Sequence, residues 1–252
     1  MKTSQEWVAH FESSAKIKRI DWQLNPSLTT IERRNILSSL KAWQLGETSD
    51  GSHLLNASRN YARKIEDSNY VKAIELFIKE EQKHGSNLGK YLDLIQEPRL
   101  KRNWADTMFR KVRHYNASME LWTLTVITVE SAAQLFYQSL KDATGCKLLK
   151  QICTDILIDE AFHIEFQCER FRLIYESKRP LSKLLFFYFY KFFYFSIIIL
   201  VWFVYRRTFT AGKNDFNSYW KKMKMKFKKT IGGLKEPEIQ TTIPFSITKT
   251  HY

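Results

Sequence analysis

Two short stretches decide how this chain is read: KEEQKH, Lys79 to His84, and DEAFH, Asp159 to His163. Each holds a Glu-x-x-His unit, Glu81 with His84 and Glu160 with His163. Each also places a further acid four residues before the histidine, Glu80 in one and Asp159 in the other. Residues three and four apart share a helix face, so either acid can work with an imidazole. A lone Glu-x-x-His arises by chance in many helices. Two in one chain, in matching order, point to a shared role.

The flanking sequence puts both units on helices. Residues 68–98 predict a helix that Ser68 or Asn69 can cap and Pro98 ends. Its apolar stripe runs Ile74, Ile78, Glu81, Gly85, Leu88, Leu92, Ile95, with Glu80 beside it. A carboxylate on such a stripe is costly unless it is paired or metal-bound. Residues 146–175 predict a second helix, with the stripe Leu149, Ile152, Ile156, Glu160, His163, Gln167, Arg170, Ile174 and Asp159 one step off.

A third helix covers residues 119–140, where Glu130 is the one acid between Glu120 and Lys141, on a face with Thr123, Val126, Ala133 and Tyr137. A fourth is predicted over 25–47, from Ile31, Ile36, Leu40 and Trp43 at helical spacing. Gly46 and Gly51 weaken it at the end that carries Glu47. The order is repeated: Glu47 precedes Glu81 by 34 residues, and Glu130 precedes Glu160 by 30. On spacing alone, Glu32 is an alternative to Glu47. Of the other histidines, His53, next to Leu54, reads as a satisfied or surface group, and His114 as a surface group.

A carboxylate-bridged metal pair needs four acids and two imidazoles converging inside a bundle, and Glu-x-x-His lets one helical turn offer an oxygen and a nitrogen. On EEQKH and DEAFH, with Glu47 and Glu130 in support, residues 28–177 resemble the ferritin-like, rubrerythrin-like di-iron carboxylate superfamily. The resemblance implies an all-α fold: a ferritin-like four-helix bundle over 28–178, with an additional C-terminal apolar helix. It implies Glu47, Glu81, His84, Glu130, Glu160 and His163 as metal ligands. It also implies that Glu80 accepts a hydrogen bond from His163 and Asp159 one from His84, each across the bundle. The implied cofactor is two iron ions, with manganese or a mixed Fe/Mn pair as alternatives.

The implied chemistry is activation of dioxygen or peroxide. An oxidase or oxygenase with a small-molecule substrate and an unidentified electron donor is the leading expectation. A non-redox or ferroxidase-like, iron-handling bundle is the alternative. A rubrerythrin-like peroxidase would bring a Cys-rich electron-transfer module. Cys146, Cys153 and Cys168 include no C-x-x-C pair, and give neither that module nor a disulfide framework.

Charge divides the chain. Residues 1–177 carry 25 basic and 23 acidic side chains, whereas residues 178–252 carry 15 and 3, within a total of +14. Residues 1–27 read as a polar lead-in with a short helix near Trp7–Phe11 and no secretory signal. The segment Leu184 to Tyr205, within an apolar helix over 180–207, holds one charge, Lys191. Twenty-two such residues are long enough to span a bilayer. Basic residues flank it on both sides (Lys178, Arg179 and Lys183; Arg206 and Arg207), so the positive-inside rule assigns no clear orientation. Three arrangements are open: a spanning helix, a helix lying in one leaflet, and a fifth helix packed on the bundle.

The tail, 208–252, is basic and expected to be partly disordered. In it Trp220, Lys221, Lys222, Lys224, Lys226, Lys228 and Lys229 are expected to face anionic lipid. No nucleic-acid motif accompanies the run. The expectation is a membrane-associated protein with its bundle on the cytoplasmic side, membrane lipid as a partner, no nucleic-acid partner, and scope for a homodimer.

Overall fold

The computed structural model describes residues 1–102 and 118–235. His114 and the tail beyond residue 235 lie outside the described residues. Among those described are eight α-helices and one 3-10 turn, and no strand. They are α1 (Ser4–Ser14), α2 (Thr30–Glu47), α3 (Ser52–Ile65), α4 (Ser68–Leu94), α5 (Met119–Asp142), α6 (Lys147–Glu176), α7 (Pro180–Ala211) and α8 (Phe216–Lys229); the 3-10 turn is Ile231–Lys235.

Helix starts follow capping chemistry. Thr3 with Glu6 and Thr29 with Glu32 form reciprocal capping boxes at α1 and α2. Glu32 is thereby removed from the candidate ligands: its Oε2 accepts from Thr29 N at 2.6 Å and its Oε1 from Gly145 N at 2.5 Å. Asp67 caps α4, one residue before the predicted Ser68 or Asn69, and Ser118 caps α5. Helix α4 stops at Leu94, four residues before Pro98, through a turn in which Gln96 adopts φ 59°. Helix α2 ends on Glu47, and the chain reverses through Gly51 at φ +67° into α3, which the sequence reading did not separate. A Cβ on Gly51 would lie 2.6 Å from Ile78, so the turn needs glycine twice over.

The bundle is α2, α4, α5 and α6. Helix α5 packs along α6, α2 along α4, and α3 against α4. Two apolar cores fill it. One contains Tyr70, Phe77 and Phe166; the other contains Leu88, Leu92, Leu149 and Ile156. On both α4 and α6 the Glu-x-x-His unit lies between these cores. Ile31, grouped with the α2 stripe in the sequence, is 73% exposed.

The lead-in is part of the fold. Helix α1 lies on α4 and buries Trp7 and Phe11. Helix α7 packs against α5 and α2, burying Phe187, Tyr190, Tyr194, Ile198, Val201, Trp202 and Phe209 in the core. At about 2 kcal/mol per buried large side chain, that stripe anchors the helix to the bundle. By length and composition α7 could also cross a membrane, and only 28% of its most apolar window is buried. Helix α8 folds back on α7 and α5 through Tyr219, Met223 and Phe227. Lys226, expected at a lipid surface, instead turns inward and donates to Gln134 Oε1. It sits on the packed side of α8, adjoining Met223 and Phe227.

Candidate metal centre

Four helices deliver the six predicted ligands to one place. Glu47 is the last residue of α2, Glu81 and His84 lie on α4, Glu130 on α5, and Glu160 and His163 on α6. Glu81, Glu130, Glu160 and His163 offer ligand atoms within 4.8 Å of one another, and so do Glu47, Glu81 and His84. Glu81 belongs to both groups. Gly85 makes the approach of α2 to α4 possible here: a Cβ at that position would stand 3.1 Å from the Glu47 carbonyl carbon.

Both histidines are fully buried, and the outer acids orient them. His84 Nε2–H donates to Asp159 Oδ2 at 3.0 Å, and His163 Nε2–H donates to Glu80 Oε2 at 2.9 Å. Each bond crosses from one Glu-x-x-His helix to the other. Each leaves an Nδ1 atom turned toward the carboxylates. Glu80 reaches its partner although it lies off the apolar stripe, and it is buried all the same. Tyr137 donates to Glu47 Oε1 at 2.6 Å.

A second layer of charge surrounds this shell. Arg19, between α1 and α2, places Nη1 2.7 Å from Asp155 Oδ1 and 2.9 Å from Asp159 Oδ1. Lys83 Nζ is 2.6 Å from Asp159 Oδ2. Ser14 Oγ donates to Glu80 Oε1 at 2.8 Å. Arg19, Ser14, Lys83 and Asp155 were absent from the sequence reading. Lys83 stands inside KEEQKH, and Asp155 lies one turn before Asp159, which is the only local signal either offers.

The donor set suits a metal pair. Glu81 Oε1, His84 Nδ1, His163 Nδ1 and both Glu160 carboxylate oxygens are buried with no hydrogen-bond partner. Unmet acceptors of this kind cost about 1–3 kcal/mol each. Glu81 Oε1 and His163 Nδ1 approach to 2.8 Å without the alignment of a hydrogen bond. A separation of 2.8 Å is that of two neighbouring donor atoms on one ion.

Electrostatics agree. Burial, then the Glu81 charge, raises the Glu47 carboxyl well above its usual range. The same two causes raise Glu160. Burial also works on Glu81, but the adjacent His163 overrides it and brings that group down to about 2. Burial opposes charge on His163 too, yet Glu81 and Glu80 raise it well above its ordinary value. Burial likewise opposes ionisation of Asp159, but His84 and Lys83 hold it below the usual range. Crowded carboxylates that keep protons in the absence of a cation are groups a divalent ion would deprotonate.

Beside the centre lies a cavity of about 180 Å³. Phe77, Ile78, Trp122 and Val126 form part of its wall, Glu47, Glu81 and Glu130 also border it, and α7 adds Val201 and Tyr205. Away from the centre, His53 is exposed as expected. The three cysteines are free, with Cys146 and Cys153 buried.

No protein-family model matches the sequence, and no curated protein matches it. Two solved structures share the fold. One is a variant of an R2-like ligand-binding oxidase with an aerobically reconstituted Mn/Fe cofactor. It has a TM-score of 0.66 and 14% identity, over 91% of this chain and 93% of that one. The other is a second variant of an R2-like ligand-binding oxidase, with an anaerobically reconstituted Mn/Fe cofactor. It has a TM-score of 0.60 and 14% identity, over 91% and 94%. The likeness establishes the all-α, ferritin-like fold across most of the chain.

Proposed function

We propose that this protein is a dinuclear metal oxidase that works at a membrane on a small apolar molecule. Glu47, Glu81, His84, Glu130, Glu160 and His163 hold the two ions. They are iron or a mixed Mn/Fe pair, the latter being the cofactor of both structural neighbours. The observation that carries the reading is a set of inward-facing donor atoms buried without a hydrogen-bond partner, His84 Nδ1, His163 Nδ1, Glu81 Oε1 and both Glu160 oxygens, in two groups that share Glu81. Buried polar atoms without partners call for an explanation, and several ligand-type atoms aimed inward together support a cation site.

When bound, the metal pair supplies the electrons and Lewis acidity for reaction with dioxygen or peroxide. The chain supplies the remainder. Asp159 and Glu80 fix the histidine tautomers, so both Nδ1 lone pairs face the ions. Tyr137 holds Glu47 in place and offers a hydroxyl proton at its Oε1. The apolar walls admit a hydrophobic substrate beside the carboxylates and keep bulk water out. The membrane part of the reading draws on α7, with its apolar length, and on the basic charge that follows it.

Metal analysis of the purified protein tests the centre. Two metals per chain, and an absorbance change when oxygen meets the ferrous form, are expected. A protein without metal, whose thermal stability is unaltered in Glu81→Ala and Glu160→Ala, would refute the dinuclear centre. Oxygen consumption that depends on an added apolar reductant or lipid separates an oxidase from an iron-handling bundle.

A further inference from the structure

The face of α7 that the bundle does not cover is apolar from Leu181 to Phe203 except at Ser196. Leu181, Leu185, Tyr188, Phe192, Ile199 and Phe203 recur at helical spacing on the outward side, and Leu185, Phe192 and Phe203 are 71%, 74% and 63% exposed. Single exposed apolar residues are ordinary, but a stripe about 33 Å long, interrupted by Ser196, marks an interaction surface. Helix α8 runs beside it. Phe195, next to the outward stripe, packs on Trp220 and Phe227 of α8 at ring-centroid distances of 5.0 and 5.1 Å. The opposite side of α8 exposes Lys221, Lys224, Lys228 and Lys229, with Met225 53% exposed among them.

We infer that α7 and α8 together form an in-plane docking surface for an anionic lipid bilayer. The α7 stripe enters the interfacial region of one leaflet, and the α8 lysines meet the headgroups. This deepens the membrane part of the proposed function and rests on it. Charge complementarity selects the occupant, since residues 178–252 carry 15 basic and 3 acidic side chains.

The packing also selects the orientation. Helix α7 is tied to the bundle near both ends: Lys178 pairs with Glu120 at 2.8 Å, and Thr208 Oγ1 donates to Asn35 O at 3.3 Å. A spanning α7 would carry α2, α5 and α6 into the hydrocarbon. Exposed Arg34, Lys147, Lys150 and Glu165 would go with them, where charge is costly. Lying flat, the helix leaves those faces in water. Lys191, the one charge beside the stripe, can extend to the headgroups.

Flotation of the full-length, metal-loaded protein with vesicles tests this. Equimolar phosphatidylcholine and phosphatidylglycerol vesicles should carry the protein upward, and phosphatidylcholine vesicles should not. High salt or alkaline carbonate should release it. Changing Lys221, Lys224, Lys228 and Lys229 to Gln should cut partitioning about fivefold for each lysine. The triple variant Leu185→Ser, Phe192→Ser, Phe203→Ser should also lose binding, with its melting temperature retained because these side chains are exposed.

Equal flotation with neutral vesicles, or binding unchanged in both variants, overturns the inference. So does resistance to carbonate with the two ends of α7 labelled from opposite sides, which is the signature of a spanning helix. A dimer that covers the stripe and leaves no vesicle binding overturns it as well. Metal content measured in the same samples keeps the two readings apart: two metals without flotation refutes the docking surface alone, and flotation without metal refutes the oxidase alone.

Discussion

Asp159→Ala is the perturbation that bears most directly on how this centre is held. Asp159 is 1% exposed and accepts from four donors: His84 Nε2 at 3.0 Å, Lys83 Nζ at 2.6 Å, Arg19 Nη1 at 2.9 Å and, more distantly, Ser14 Oγ at 3.5 Å. Removing it frees the His84 ring to rotate and to exchange tautomers, and withdraws the negative charge that strengthens Nδ1 as a donor. Loss of such a partner weakens metal binding about 10–100-fold.

The stability cost is smaller than for an isolated buried pair. Arg19 and Lys83 both keep Asp155, at 2.7 and 3.5 Å, so neither cation is stranded. A loss near the lower end of the roughly 3–5 kcal/mol seen when a buried pair is broken is expected. Chelator competition on the apo protein reads the affinity, and thermal melting of the same apo samples reads the stability. Asp159→Asn preserves the shape and should recover part of the affinity. Metal affinity within about twofold of wild type in Asp159→Ala, beside a large loss in His84→Ala, would refute the orienting role.

Three further outcomes follow from the same geometry. Tyr137→Phe deletes the 2.6 Å bond to Glu47 and should cost the apo protein about 1–2 kcal/mol, read by denaturant melts. Because that bond favours the charged carboxylate, its loss should also shift metal uptake toward higher pH. Gly85→Ala sets a methyl 3.0 Å from Thr48 Cγ2 and 3.1 Å from the Glu47 backbone, which should destabilise by about 1–3 kcal/mol and lower the metal content found by elemental analysis.

The third concerns pH. Glu47 and Glu160 have raised folded carboxyl values, so their contribution to apo stability is full below the unfolded value, near 4.5, and declines as pH rises toward the folded values. A bound metal removes those protons. The metal-induced rise in melting temperature should therefore grow from about pH 5 to about pH 8; a rise that stays flat across that range would contradict it.

The bundle was legible because its evidence is local. Glu-x-x-His is a spacing on one helix, and the apolar stripes around Glu81 and Glu160 show which face turns inward. Glu130 stood out as a lone acid in a long apolar segment. Glu47 was the hardest to place, since Gly46 and Gly51 disturb the helical pattern just where the chain turns, and Glu32 competed with it. The capping box of Thr29 and Glu32 resolves that competition, and a cap is visible only once the helix start is known.

What the tertiary structure decided involves contacts between elements remote in sequence. Arg19 meets Asp159 across 140 residues, and no periodicity on either side announces the pair. Glu80 looked like a flanking residue and became buried, because α1 covers the side of α4 that its own helix would leave open. Lys226 belongs to a run that reads as facing lipid headgroups, yet the packing of Met223 and Phe227 carries it inward, where burial pushes its ammonium down to about 8.

The same holds for α7. Its composition permits a membrane span, a surface helix or a packed helix, since hydrophobicity alone does not state what covers it. The bundle covers one stripe and leaves the other bare. Sequence determines the periodic face that each helix must hide, because that follows from 3.6 residues per turn. Which neighbour hides it, and which charge meets which, depends on distances that exist only after the chain has folded.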